Sequence, residues 1–520
     1  MLSRRAFLRA AGVGAVGALA GCTTTAVPSP TPTATATATP SLAPTATPTP
    51  RPAPAWDTLA TKLRGSLIRP ADDGYDGARV LYNTRFDTVR PQAIARCASV
   101  DDVRECIRFV RTFAIPIAPR SGGHSYGGWS TGAGLVLDVS PLDSVIVGDG
   151  VVTVCAGARL IDVYDAVAAR GVGIAAGSCP TVGITGLTLG GGLGVLTRAW
   201  GLTCDDLVAA QVVTADAQVH DCDASTDADL FWALRGGGGG NFGIVTSLTL
   251  KTHAVGALAL GFLSWPWARA AAVVAGWQNW MSRAPDALWS TLHLDTEGGG
   301  GVSIHAVHTG TAREISALLD GLVAATGAPS YRESGARTYR DVMLLEAGCL
   351  GRSVAQCHLQ GTSAEGQLGR ETYAGKSVVA TSALSSDAIR ALVEGVGSLA
   401  GRADVGGGAV LLDSLGGAVA RVAPSATAFP HRDAFAVAQL IGSWDAAAPA
   451  TVADATTTWL RQLHAAVRPL VGPGAYVNYA DADLADWPNA YYGANYPRLR
   501  QIKARYDPDR LFAFPQAIQP

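Results

Sequence analysis

The stretch Gly177–Leu202, GSCPTVGITGLTLGGGLGVLTRAWGL, decides how this chain is read, together with the shorter RSGGHSYGG at Arg120–Gly128. Seven glycines fall within the eighteen residues 177–194. Glycine lets backbone N–H groups crowd around an anion such as a pyrophosphate, because no Cβ stands between them. Neither stretch has the order G-x-G-x-x-G, and neither carries a P-loop lysine, so the Rossmann and Walker phosphate sites do not fit. A third glycine-rich stretch, RGGGGGNFGIVTSLTL, covers Arg235–Leu250. The glycine-rich stretches fall between Arg120 and Gly243, which argues for one site where backbone approaches a ligand rather than for general flexibility.

Working outward, the chain alternates strands and helices from about Arg90. AIARC reads as a strand. Ser99 with Asp101 and Asp102 opens a helix that continues through VRECIRFVRTF. AIPIAP is the next strand, directly before Arg120. GLVLDVS, VVTVCAG and GVGIAAG are β-like, IDVYDAVAAR is helical, LVAAQVVTAD is a strand, DADLFWALR a short helix and FGIVTSLTL a strand again. From about Thr252 to Pro473 the character changes. Tryptophans 265, 267, 277, 280 and 289 and histidines 293, 305 and 308 mix with helices such as REISALLDGLVAA and SSDAIRALVEGV. This reads as a second, α+β domain. The last stretch, Tyr476–Pro520, is rich in Tyr, Asn and Trp and reads as a tail packed on the rest.

The composition supports a large folded body. The chain has 520 residues, 61 of them glycine, with 40 Lys plus Arg against 42 Asp plus Glu. That balance excludes a basic nucleic-acid binder of the usual kind. The N-terminus reads as an address: SRRAFLR, then an apolar run from Ala10 to Ala20 that is too short to span a bilayer, resembles a twin-arginine export signal. Leu19–Cys22 resembles a lipobox, so Cys22 is expected to carry lipid and to be the only membrane attachment. Loss of the leader removes Arg4, Arg5 and Arg9 and moves the net charge from −2 to −5. The Pro/Thr/Ala-rich residues after Cys22 form an extended tether. No CxxC pair occurs among the nine cysteines, which argues against a zinc or dithiol site and leaves their pairing open. His305 and His308 have no third ligand in sight, so no metal is expected.

Four motifs in this order, the fourth being YVNY with YYGANYPRLRQIKARYDPDRLFAFPQAI, resemble the berberine-bridge-type FAD-linked oxidases of the vanillyl-alcohol-oxidase superfamily. The resemblance spans roughly Arg90–Pro520. It implies an α+β fold: a two-part FAD-binding domain of the PCMH type at 55–254, a substrate domain with an antiparallel sheet at 255–473, and a segment at 474–520 returning to the FAD domain. The signal at 1–22 and a disordered linker at 23–54 precede them. It further implies FAD held by two covalent bonds, from His124 to the 8α-methyl and from Cys179 to the 6-position of the ring. Both linkages withdraw electron density and favour reduction, so the protein tunes the cofactor that carries the hard step. Arg120, Ser121, Gly122, Gly123 and Ser125 are expected at the diphosphate. Thr181, Gly183, Gly186, Gly191 and Gly192 are expected along the rest of the channel, and Gly243, Ile244 and Val245 on the adenine side. Tyr476 and Asn478 are placed near the ring. The run Gly236–Gly240 has no counterpart in the pattern and receives no role.

The resemblance also implies the chemistry. Val182 matches a position that gates oxygen, and a small branched residue there goes with oxidases. Tyr479 matches the base that takes the alcohol proton as hydride leaves carbon. Asp413, in LLDSLGGA, matches an aspartate that takes up the phenolic proton in carbohydrate-oxidising members. Tyr126 matches a substrate-contacting tyrosine. Trp265, Trp289 and Trp444 are candidates for stacking on a substrate. The expected function is an exported monomeric oxidase that takes a hydride from a carbohydrate-type or other secondary or hemiacetal alcohol and reduces oxygen to hydrogen peroxide. An aromatic or secondary-metabolite donor on the same fold is the alternative. A flavin-free solute-binding lipoprotein is the alternative of another class.

Overall fold

The computed structural model describes residues 53–296 and 301–520. The leader, Cys22 and almost all of the tether lie outside the described residues. Among the described residues, no helix is long and apolar enough to cross a membrane.

A four-stranded sheet comes first, built from β1 (Ser66–Ile68), β2 (Ala93–Arg96), β3 (Ile117–Arg120) and β4 (Leu135–Asp138) in the order β1-β2-β4-β3. The parallel pairs β2/β4 and β3/β4 are joined by the helix Val100–Phe113. That helix starts where the sequence says it should: the Ser99 side chain accepts from the Asp102 N–H, a cap typically contributing about 1 kcal/mol. Asp102 in turn accepts N–H bonds from Arg64, Gly65 and Ala98. The helix buries Val103, Cys106, Ile107 and Val110 against the sheet.

The chain continues through β5 (Val145–Val147), β6 (Val151–Cys155), β7 (Val172–Gly173), β8 (Leu207–Val213), β9 (Val219–Asp223), β10 (Ile244–Lys251) and β11 (His253–Ala254). Five of these form an antiparallel sheet in the order β5-β6-β10-β8-β9, and β7 pairs only with β11. The β-like GVGIAAG is thus a two-residue strand. Its remaining residues run as extended chain toward Gly177, whose carbonyl accepts from the Tyr164 hydroxyl.

The second half is one antiparallel seven-stranded sheet: β12 (Ala257–Pro266), β13 (Leu288–Asp295), β14 (Gly301–His308), β15 (Tyr331–Thr338), β16 (Thr372–Ala380), β17 (Gly407–Ser414) and β18 (Ala436–Trp444), ordered β15-β12-β14-β13-β17-β18-β16. Its strands alternate with period two. Leu292, Leu294, Ile304, Val410, Leu412, Ala438 and Leu440 face one side. There they pack with residues from the helices Ala270–Met281, Ala312–Thr326, Ser386–Gly397 and Ala450–Val471. The intervening residues, Thr291, His293, Asp295, His305, Asp413 and Gln439, face the other side and form the wall of a cavity. Trp265 and Trp277 belong to the helix-side core.

The tail returns to the first half through buried charges. Lys503, with no exposed side-chain surface, donates to Asp507 Oδ2 at 2.5 Å, to the Asn241 carbonyl at 2.6 Å and to the Phe512 carbonyl at 3.0 Å. The tail is also tied to the second half, where Lys376 of β16 reaches Asp481 at 2.6 Å and Asp483 at 3.0 Å. Cys349 and Cys357 form a disulfide, which answers part of the pairing left open by the sequence.

Candidate active site

Two cavities meet inside the protein. The first is a cleft of about 280 Å³ running between the segment Arg120–Tyr126, the segment Gly177–Leu189 and the tail. The second, of about 770 Å³, lies under the open face of the seven-stranded sheet. Tyr82, His124, Cys179, Tyr373 and Tyr479 line both, so they stand at the junction.

The cleft is built by close backbone approach. A Cβ on Gly122 would sit 2.1 Å from the Gly183 nitrogen, so two of the glycine-rich loops interlock and only glycine fits there. Arg120, Ser121, Gly122, Gly123, Ser125, Val182, Gly183, Gly186, Gly243, Ile244, Val245 and Asn478 all line this cleft. Gly238, Gly239 and Gly240 line it too, which gives a place to the run that the sequence left without a role. Gly236 and Gly238 donate their N–H groups to the Leu189 carbonyl, pinning this run to the second loop.

Four expected cleft residues lie elsewhere. Gly191 packs beside Phe429, and Gly192 beside Thr203. Tyr476 is buried behind them, its hydroxyl accepting from Gly192 N–H at 2.9 Å and from Asn478 Nδ2 at 2.8 Å. Burial pushes its phenol up, and it braces the glycine loop instead of touching the cleft. Thr181 faces the larger cavity, and its hydroxyl lies 2.8 Å from His124 Nε2. That contact, with the Tyr82 ring stacked on the imidazole at 4.0 Å between centroids, fixes the orientation of His124.

The polar atoms of the cleft suit a large anionic cofactor. Arg120 is buried, and its Nη2 is taken by the Ala78 carbonyl and by Asp138 at 3.0 Å. Burial alone would raise the Asp138 carboxyl, but Arg120 and the Ser140 N–H hold it below the usual range. Arg120 Nη1 and Thr185 Oγ1 are buried without a hydrogen-bond partner, and both residues line the cleft. A guanidinium nitrogen, a hydroxyl and a row of glycine backbone fit a diphosphate-bearing group. Among the described residues no cluster suits a metal ion.

At the junction the tail supplies Tyr479 from the turn Val477–Tyr479. Its ring stacks on Tyr126 with centroids 5.3 Å apart. The Tyr126 hydroxyl accepts from Gln439 Nε2, and its ring meets Tyr373 edge-on at 5.0 Å. Asp413 lies on β17 between Thr291 and Val437 in register, in the middle of the sheet, and its side chain lines the same cavity as Tyr479. Sequence reasoning missed Gln439, Tyr82 and the stacked pair His293 and His305. Strand periodicity would have grouped Gln439 with Asp413 on one face once the sheet order was known. Burial first and His293 second hold His305 well below its ordinary value. Of the three tryptophans considered for substrate, Trp289 lines the cavity, whereas Trp265 and Trp444 are core.

Comparison with known proteins agrees with this geometry. Residues 91–223 match the family described as FAD binding domain, and residues 475–519 match the family described as berberine and berberine like. The chain is 32% identical over 467 residues to an uncharacterized FAD-linked oxidoreductase, YgaK, of Bacillus subtilis, covering 88% of this chain and 98% of that protein. It is 30% identical over 454 residues to xylooligosaccharide oxidase of Thermothelomyces thermophilus, covering 83% of this chain and 87% of that one. The structure of BBE-like 1 from Physcomitrella patens superposes with a TM-score of 0.81 at 27% identity, over 89% of this chain and 98% of the other. That of a chitooligosaccharide oxidase superposes with a TM-score of 0.79 at 27% identity, over 89% and 99%. An α+β fold of the PCMH type, a cleft built for FAD and these relatives lead to one conclusion: the chain is an FAD-linked oxidoreductase and belongs to the berberine-bridge-like family.

Proposed function

We propose that the protein is an oxidase that removes a hydride from a secondary or hemiacetal CH–OH group of a carbohydrate-type donor, with oxygen as acceptor. The observation that carries this reading is the junction itself. Tyr479 and Asp413 line the larger cavity, Tyr126 lines the adjoining cleft with its ring stacked on Tyr479, and His124 and Cys179 stand where the two meet. FAD, when bound, would supply the two-electron acceptor for the hydride, with oxygen as the final acceptor and hydrogen peroxide as the reduced product.

His124 and Cys179 would hold the cofactor by covalent bonds. Their place at the junction suits that role, and a doubly anchored cofactor tolerates a wide cavity. Tyr479 takes the hydroxyl proton. A free phenol, with a pKa of about 10, is protonated at neutral pH, so Tyr479 accepts the hydroxyl proton only as its own phenolic proton passes to Asp413. Tyr126, oriented by Gln439, holds the donor against Tyr479. Val182, lining the cleft, leaves oxygen its approach. The polar wall supports a polyhydroxyl donor: Thr291 Oγ1, Glu346 Oε1 and Arg352 Nη1 are buried without hydrogen-bond partners, on residues that line the cavity. Hydroxyl-rich ligands satisfy such atoms. The relatives named as xylooligosaccharide and chitooligosaccharide oxidases support the same class. The leader and Cys22 support export of the folded, flavin-loaded monomer and its tethering to the outer side of the cell envelope.

Peroxide release by the holoenzyme across a panel of mono- and oligosaccharides and aromatic alcohols tests the reading. Turnover of one or more sugars is expected. Turnover confined to aromatic alcohols would replace the carbohydrate reading with the aromatic one, and absence of bound flavin would end both.

A further inference from the structure

The helix Tyr339–Glu346 ends at the larger cavity, and Glu346 is its last residue. The wall continues through Ala347, Gly348 and Leu350–Arg352. The Cys349–Cys357 disulfide staples this stretch, and both cysteines pack with Leu344 and Ile161 in a small apolar cluster. The backbone on either side of Glu346 is therefore anchored, and the residue lines the wall. Its Oε1 is buried and accepts no hydrogen bond from the described residues. A buried carboxyl oxygen left in that state is unfavourable unless a ligand pairs it.

The surroundings disfavour a charge at Glu346. Burial and then the neighbouring Asp413 push its carboxyl up to about 7. The helix C-terminus adds partial negative charge from its last carbonyls, which acts in the same sense. The other titratable groups on the cavity wall are Tyr82, His124, Cys179, His293, Asp295, His305, Arg352, Glu371, Tyr373 and Tyr479, and the charge that acts on Glu346 is that of Asp413. On the elements packed against its helix, Asp162 and Asp165 are engaged by His358 and Arg340. Arg332, Glu333 and Arg337 lie on the exposed strand β15, and β12 carries no charged residue.

We propose that Glu346 is a donor-binding residue that works as a carboxylic acid beside the Asp413 carboxylate, so that the pair offers neighbouring hydroxyls of the substrate one hydrogen-bond donor and several acceptors. The inference rests on the reading of this cavity as the donor site. It adds that the site selects neutral vicinal diols over donors that carry a carboxylate, and that it recognises them below the pH at which Glu346 ionises. Once Glu346 loses its proton, two carboxylates face one another and the single donor is gone.

The test uses the holoenzyme and a sugar already shown to release peroxide, so failure of the proposed function appears earlier, as a panel with no active sugar. The wild-type kcat/KM is expected to fall about tenfold between about pH 6 and about pH 8, as a single group titrating near 7 requires. In E346Q, where the amide keeps a hydrogen-bond donor at every pH, the profile is flat in this interval. An infrared band of a protonated carboxyl, present in the wild type and lost in E346Q, is the second readout. A fall that persists unchanged in E346Q overturns the proposal. Should E346Q fail to fold, the infrared band of D413N decides without turnover: with the neighbouring charge gone the protonated-carboxyl band is lost at lower pH than in the wild type, and a band lost at the wild-type pH overturns the proposal.

Discussion

The ring of Tyr479, from the C-terminal segment, lies against the ring of Tyr126, from the first glycine-rich loop, with centroids 5.3 Å apart and planes inclined by 29°. The two phenols come from positions more than three hundred residues apart and meet where the cofactor cleft opens into the larger cavity. One of them is oriented by Gln439. The other stands on a turn whose neighbours, Tyr476 and Asn478, are tied to Ser377, Leu187 and Gly192. Tyr479→Phe keeps the ring stack and removes only the hydroxyl. Turnover is expected to fall by about 10²–10⁴, the usual worth of a positioned proton acceptor, while the flavin spectrum stays as in the wild type. Peroxide release at the wild-type rate would remove Tyr479 as the base.

The covalent attachment has its own test. Acid precipitation of the wild-type protein is expected to leave yellow flavin in the pellet. His124→Ala or Cys179→Ala alone should keep one link and shift the visible spectrum, and the two together should release the flavin to the supernatant. Flavin in the pellet of the double variant would place an attachment elsewhere.

Gly122→Ala probes the cleft without touching any reacting group. The new Cβ would sit 2.1 Å from the Gly183 nitrogen, against backbone rather than a flexible side chain. The two glycine loops must then separate, which costs about 1–3 kcal/mol for an overpacked contact and opens the cradle. The expected outcome is a folded protein that incorporates markedly less FAD, read as the ratio of visible to ultraviolet absorbance. A full flavin complement would show that the interlocking of these loops is dispensable.

How much of this was legible beforehand follows from the range of the interactions. The glycine loops announce themselves locally, because backbone approach demands a residue type at each point. The helix at Val100–Phe113 carries its own start signal in Ser99 and Asp102. Asp413 was readable only through family resemblance, since no local pattern tells which face of β17 meets the cavity. The motif puts Tyr476 beside Tyr479, where its ring indeed stands, but cannot say that its hydroxyl turns back to Gly192. Glu346 gave no signal at all. Its character comes from Asp413, sixty-seven positions along the chain, and from a disulfide the cysteine spacing left open. Lys376 was likewise invisible, although it is one of only four lysines.

That lysine anchors the C-terminal segment. Its ammonium is about 5% exposed and bridges Asp481 at 2.6 Å and Asp483 at 3.0 Å, two and four residues beyond Tyr479. Arg461 also holds Asp483. Lys376→Met fills the same space without charge and leaves the buried Asp481 unpaired. Breaking a buried pair in this way costs about 3–5 kcal/mol, so a lower thermal midpoint is expected. The pH dependence separates this from a loss of packing. The Arg461 hydrogen bond first, and Lys376 next, hold the Asp483 carboxyl well below the usual range. A carboxyl depressed in the folded state stabilises above its unfolded pKa of about 4, and that contribution is lost as pH falls toward the folded value. The wild type should therefore lose stability in mild acid more steeply than Lys376→Met, and the gap between their midpoints should narrow as pH is lowered below about 4. A gap that stays constant down the acid limb would mean that Lys376 acts through the volume of its side chain and not through its charge.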